Sequence, residues 1–262
     1  MEDRFATLPR RLQKMACVKE IGGVPCLIAR QDNALRPFLF WMHGRTAYKE
    51  LDPGRFLRCL QRGINICAVD LPGHGQRLEA ESQGANRIWP VVEQMSLEID
   101  AVLEGLKSIE GFDIQRCAIG GMSAGGMAAI TRLLKPHPFS ALVLEATCGD
   151  WSFIRNKPMC AALSEEEFDA INPINHLDQW ENIPVIAFHS EKDEWIPYEA
   201  ASSFIESLRA RLNDSADIDL VSFKDTGAPY EHVGFGRESA NVKELQTQFL
   251  VRHLRVTQEF KQ

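Results

Sequence analysis

The chain has 262 residues, 45% hydrophobic and 25% charged, a balance ordinary for a soluble globular protein that buries enough surface to fold without disulfides or a metal. Its formal charge of −7 argues against binding of nucleic acid, because phosphate contacts need a basic face. No apolar run approaches the roughly 18 residues of a membrane span, and the opening Met-Glu-Asp-Arg segment lacks the basic start and apolar stretch of a secretory signal. A cytoplasmic protein with no membrane and no nucleic-acid partner is the expectation.

In chain order, a weak strand over Ala16–Ile21 precedes a clear one at Val24–Ala29. Pro37–Met42 is the next strand. Asp52-Pro53 then reads as a helix start, a capping acid followed by proline at the first position, with Gly63 as the stop. Strand Asn65–Leu71 follows. Val92, Met95, Ile99, Val102, Leu103 and Leu106 recur every three or four residues and predict an amphipathic helix. Strand Gln115–Gly120 runs into an apolar helix, Met127–Leu134, and then strand Ala141–Thr147. After the excursion Cys148–Ile183 come strand Pro184–His189, a helical stripe (Ala201, Phe204, Ile205, Leu208), strand Ile218–Phe223 and a last helix through Val242, Leu245 and Phe249.

Most of these strands are continuously apolar, as in a parallel sheet buried on both faces. The expected class is α/β: a mostly parallel, twisted sheet of seven to eight strands, helices on both faces, right-handed crossovers, one domain over 1–262. In such sheets ligands bind at the carboxyl ends of the strands, so a chemical motif should sit just after a strand. The seven cysteines include no C-x-x-C pair, and several lie inside strand-like runs as small buried hydrophobes. No cofactor and no metal is expected, and nothing matches a phosphate-binding Gly-x-x-x-x-Gly-Lys-Ser/Thr loop.

Gly121-Met122-Ser123-Ala124-Gly125 passes that test. A serine on a sharp strand-to-helix turn needs small neighbours on either side, and the helix that follows aims its positive end where negative charge would develop. A serine hydroxyl is a weak nucleophile until a base takes its proton. His232 is the candidate base: five of the seven histidines precede the loops that supply an acid, and His253 lies in the last helix. For the acid, Asp193 stands four residues past a strand and four before Pro197, with Glu191, Glu194, Asp225, Glu231 and Asp150 as alternatives. The oxyanion donors are expected to be the backbone amides of Ala124 and of Arg45, the latter in the loop opened by His43-Gly44. His43 is expected to be a structural hydrogen bonder. His43, Gly44, Met122, Trp151 and Trp195 are candidate pocket residues.

With these residues in hand, the sequence resembles the α/β-hydrolase superfamily from about residue 20 to the end. The resemblance rests on His43-Gly44, Asp70-Leu71-Pro72-Gly73-His74-Gly75, Gly121-Met122-Ser123-Ala124-Gly125-Gly126, Asp193 and His232, in that order. The double glycine after the serine and the Gly-His-Gly-Gln-Arg segment are similar to small single-domain esterases of the dienelactone-hydrolase and prolyl-oligopeptidase-like branches. Serine replaces the cysteine of true dienelactone hydrolases, and the chain has no room for the propeller of the large oligopeptidases, so neither that lactone chemistry nor peptidase activity is expected. Residues 148–183 are expected to form a small cap plus a crossover, built on Trp151, Phe153, Met159, Leu163, Phe168 and Ile171. The resemblance implies a serine hydrolase that cleaves a small carboxylic ester or thioester, its partner a small acyl substrate. The alternatives are an acyltransferase with the same triad, or a ligand-binding protein on this scaffold.

Overall fold

A computed structural model describes residues 3–213 and 217–256. Eight strands form one sheet: β1 (Ala16–Ile21), β2 (Val24–Ala29), β3 (Arg36–Met42), β4 (Asn65–Val69), β5 (Phe112–Met122), β6 (Phe139–Glu145), β7 (Val185–Ser190) and β8 (Ile218–Phe223). Their order is β1-β2-β4-β3-β5-β6-β7-β8, with β1 and β2 antiparallel to their neighbours and the rest parallel. The antiparallel hairpin turns at Gly22-Gly23, both at positive φ (59° and 79°), a conformation that costs glycine little.

Side chains on successive strand positions point to opposite faces. Phe38, Phe40 and Met42 of β3 enter one core with α3 (Ile88–Leu106), α4 (Ala124–Leu133) and α6 (Tyr198–Leu212). Leu39 and Trp41 enter the other, with α2 (Pro53–Gln61) and α7 (Ser239–His253). Continuous apolar runs in β3, β4, β6 and β7 are therefore the signature of a sheet covered twice, whereas the edge strand β1 is half exposed. A short helix α1 (Arg10–Gln13), several single turns and α5 (Glu165–Ile171) complete the chain. Among the described residues no helix is long and apolar enough to cross a membrane.

Two local expectations change. Asp52 does not cap α2 with its side chain; it turns to Arg55, accepting from Nε at 2.8 Å and from Nη2 at 2.6 Å. A buried guanidinium outcompetes the helix amides for that carboxylate. In the 148–183 segment, Trp151 and Phe168 join the main core while Phe153 and Ile171 face solvent.

Candidate active site

β5 ends at Met122 and α4 begins at Ala124, so the turn between them is the single residue Ser123, at φ 50°, ψ −119°. This strained backbone is pinned from β6 and the residues just after it: the Ser123 N–H donates to the Glu145 carbonyl at 2.9 Å, and the Thr147 hydroxyl donates to the Ser123 carbonyl at 2.9 Å. A β-carbon on Gly125 would lie 2.5 Å from the carbonyl oxygens of both Met42 and His43. Glycine is thus what lets α4 start against the end of β3, keeping the serine at the sheet's carboxyl edge.

Ser123 Oγ lies 3.0 Å from His232 Nε2, and His232 Nδ1 lies 2.8 Å from Asp193 Oδ2. Residues 109 and 39 positions apart in the chain are joined by these two bonds. Because a carboxylate only accepts, the neutral ring donates from Nδ1 to Asp193 and offers Nε2 to the Ser123 hydroxyl. Asp193 is fixed in turn, its Oδ1 accepting from the amides of Trp195 and Ile196, both at 2.8 Å. The chain can take a proton from the hydroxyl and stabilise the imidazolium that forms.

Most of the other carboxylates weighed in the sequence are engaged elsewhere, whereas Glu194 lines the cavity that opens above Ser123. Glu191 accepts from Ser222 Oγ, Asp225 pairs with Arg237, and Asp150 accepts from Ser152 and Ser203. Glu231 has a job that its sequence position did not reveal. It and Tyr230 lie at φ 49° and 55°, immediately before His232. The Glu231 carboxylate accepts from Ser190 Oγ (2.7 Å), Thr226 N (2.7 Å), Thr226 Oγ1 (2.8 Å) and Gly227 N (2.6 Å). Burial alone would raise its pKa, but these donors hold it down at about 2. Glu231 thereby bolts the histidine loop to the end of β7. Its donors come partly from Ser190, 41 residues away, so no local pattern announces it.

Ala124 opens α4, so its N–H is one of the four that the helix leaves without a backbone acceptor. In the facing loop, His43 Nδ1–H donates to the Gly44 carbonyl at 2.6 Å, and His43 Nε2 accepts from the Leu71 amide at 3.1 Å. Since a trans peptide points its C=O and N–H in opposite directions, fixing the Gly44 carbonyl on His43 turns the Arg45 N–H the other way. Burial pushes the His43 pKa down to about 4, partly offset by the Gly44 carbonyl and Asp70, so its ring is a neutral strut. Asp70 is wholly buried and accepts from Lys49 N (2.9 Å), Lys49 Nζ (2.8 Å) and Gln76 N (2.9 Å), which makes its turn structural.

A cavity of about 480 Å³ opens above Ser123. Gly44, Met122 and Trp195 of the expected pocket residues line it, together with Arg45 and His232. Trp195 packs on the His232 ring at 4.7 Å and stacks on Tyr230 at 5.2 Å. The Arg45 guanidinium lies 5.9 Å above the Trp195 ring and donates to the Gln83 carbonyl at 2.7 Å. Two pocket candidates fall outside this cavity. Trp151 is 1% exposed, packed on Trp89 at 4.2 Å, its Nε1–H donating to the Cys148 carbonyl, because the chain dives into the core after β6. His43 lies behind Gly44 and lines only a smaller neighbouring cavity. From the 148–183 segment, Lys157, Pro158 and Met159 reach the cavity; Ala85 and Ile88, which the sequence did not mark, also line it.

A strained serine between strand and helix, hydrogen-bonded to a histidine that an aspartate orients, on a sheet of this order, defines the serine hydrolases of the α/β-hydrolase class. Residues 55–257 match the model of the prolyl oligopeptidase family, and the chain belongs to that family. It is 23% identical over 209 residues to an Escherichia coli protein described as esterase YjfP, covering 73% of this chain and 81% of that protein. The fold is similar to TT1662 from Thermus thermophilus (TM-score 0.67, 18% identity, 92% of this chain and 98% of that one). It is also similar to the acylaminoacyl peptidase of Pyrococcus horikoshii (TM-score 0.73, 16% identity), where 94% of this chain matches 43% of the larger protein.

Proposed function

We propose that the protein hydrolyses small carboxylic esters or thioesters through an acyl-enzyme on Ser123. Oγ of Ser123 forms a bond to the substrate carbonyl carbon while its proton passes to His232 Nε2, and the carbonyl π electrons move onto oxygen. The amides of Arg45 and Ala124 stabilise that oxyanion, a contribution on the order of 10²–10³ in rate per donor. Collapse breaks the bond to the leaving group, which takes the proton from His232. Water, deprotonated by the same ring, then releases the acid. Asp193 keeps the ring in the productive tautomer throughout.

The observation that carries this reading is the continuous hydrogen-bonded chain Ser123–His232–Asp193. The esterase description of the Escherichia coli relative and the many apolar side chains lining the cavity support an acyl substrate over a sugar or nucleotide. A cytoplasmic location is also proposed; the seven free cysteines suit a reducing compartment. The test is a panel of nitrophenyl esters and acyl-thioesters run beside fluorophosphonate labelling. Wild type should turn over and be labelled at Ser123, whereas Ser123→Ala should lose labelling and about 10³-fold or more of kcat. Full activity in a clean Ser123→Ala preparation refutes the assignment.

A further inference from the structure

Behind the catalytic cavity lies a second one of about 210 Å³. The two share Gly44, Tyr48, Leu51, Met122 and Val233 as walls. Leu51 and Val233 are 53% and 48% exposed, so a low apolar saddle separates the lobes. Trp41, Phe235 and Val242 continue the apolar wall inward.

The inner lobe ends on charge. Arg55 and Glu145, 2% and 4% exposed, line it together with Asp52, with Lys243, which pairs with Asp52 at 3.5 Å, and with Lys49, which pairs with Asp70 at 2.8 Å. Arg55 Nη2 donates to Glu145 Oε1 at 2.7 Å and to Asp52 Oδ2 at 2.6 Å, and its guanidinium lies 3.7 Å above the Trp41 ring. Gln246 bonds to both Arg55 and Glu145. Every charge there is matched, so the floor asks for no ligand and resists an apolar one, which would strip its remaining hydration without offering a bond.

Ser123 and His232 line only the outer lobe. The leaving group must receive its proton from His232, so it occupies the outer lobe. The acyl chain departs on the other side of the carbonyl, toward the walls that both lobes share, Gly44, Met122, Leu51 and Val233. We infer that the inner lobe is the acyl-chain subsite and that the Arg55–Glu145–Asp52 floor acts as a length ruler for short, apolar acyl groups. At roughly 30 Å³ per water-sized group, the lobe holds a chain of roughly six to eight heavy atoms. This inference rests on Ser123 being the acylated nucleophile.

The experiment is an acyl-length series of nitrophenyl esters from acetyl to dodecanoyl with kcat/KM for each, in wild type, Leu51→Trp and Val233→Trp. Both substitutions are at half-exposed positions, where a larger ring is accommodated without disturbing the core. Wild type should peak near hexanoyl or octanoyl and drop beyond decanoyl. Each tryptophan should lower the hexanoyl-to-acetyl ratio at least tenfold by closing the saddle. A ratio unchanged in both variants overturns the ruler, as does a length profile that moves instead with Met159→Trp in the outer lobe. Labelling by a small fluorophosphonate separates the two readings: labelled Ser123 with an unmoved profile sinks the ruler alone, and unlabelled Ser123 sinks the hydrolase assignment beneath it.

Discussion

Glu231 shows how a side chain that makes no contact with the Ser123 hydroxyl can set the reaction. Its four hydrogen bonds hold two consecutive left-handed residues in place just before His232. Glu231→Ala should free that loop and lower kcat by roughly 10–10²-fold, the order expected for a displaced catalytic group. KM should change little, and Glu231→Gln, which keeps one acceptor oxygen, should fall between; steady-state kinetics on one ester distinguishes them. His43 titrates in the opposite sense to a salt-bridged histidine. Its folded pKa, about 4, lies below the ordinary 6.5, so the unfolded chain binds the proton first. Stability is therefore full above about pH 6.5 and falls as pH drops toward 4, by roughly 3 kcal/mol for this one ring. Burial lowers His74 and His189 as well, so the slope of stability against pH in that window should exceed one proton. Urea denaturation at stepped pH measures it, and His43→Asn should flatten part of the slope.

Among the elements, α2, β6 and α7 meet at one buried ion network. Arg55 comes from α2, Glu145 from the end of β6 and Gln246 from α7. Burial pulls the Arg55 pKa down, but Asp52 and Glu145 outweigh it and hold it above its ordinary value. Arg55→Met leaves the buried Glu145 carboxylate without its cation, while Lys243 stays 3.5 Å from Asp52, and should cost about 3–5 kcal/mol. Adding Glu145→Gln should recover part of that loss in thermal or urea unfolding. At the elbow, Gly125→Ala should force α4 off the end of β3, because the added carbon meets two backbone oxygens at 2.5 Å. Such a clash is relieved only by backbone movement, so ester hydrolysis should fall steeply even where circular dichroism is near native.

For the molecule as a whole, the doubly covered sheet keeps its thiols out of reach. Cys17 is exposed on the edge strand, and Cys26, Cys59, Cys67, Cys117, Cys148 and Cys160 are buried. Burial also pushes Cys59 and Cys117 up to about 12, away from the reactive thiolate. One thiol should react quickly with a disulfide reagent in the native protein and seven in denaturant. Rapid native titration of three or more would contradict the packing.

The strands, the faces of α3, α6 and α7, the serine elbow and the order of the candidate triad were all legible in the amino-acid order. Each rests on local chemistry: apolar runs, three-to-four spacing, and glycines that a tight turn demands. Val24–Ala29 and Ile218–Phe223 match the structure residue for residue because turn residues bound them sharply. The pairing of Asp193 with His232, the diversion of Asp52 to Arg55, the bolt at Glu231 and the burial of Trp151 were decided only when distant segments met. So was the two-lobed cavity, whose walls come from loops after β3, β4, β5, β6, β7 and β8. A carboxylate takes whichever donors folding brings within reach, and a large ring goes wherever the space is. Neither choice is written in its neighbours along the chain.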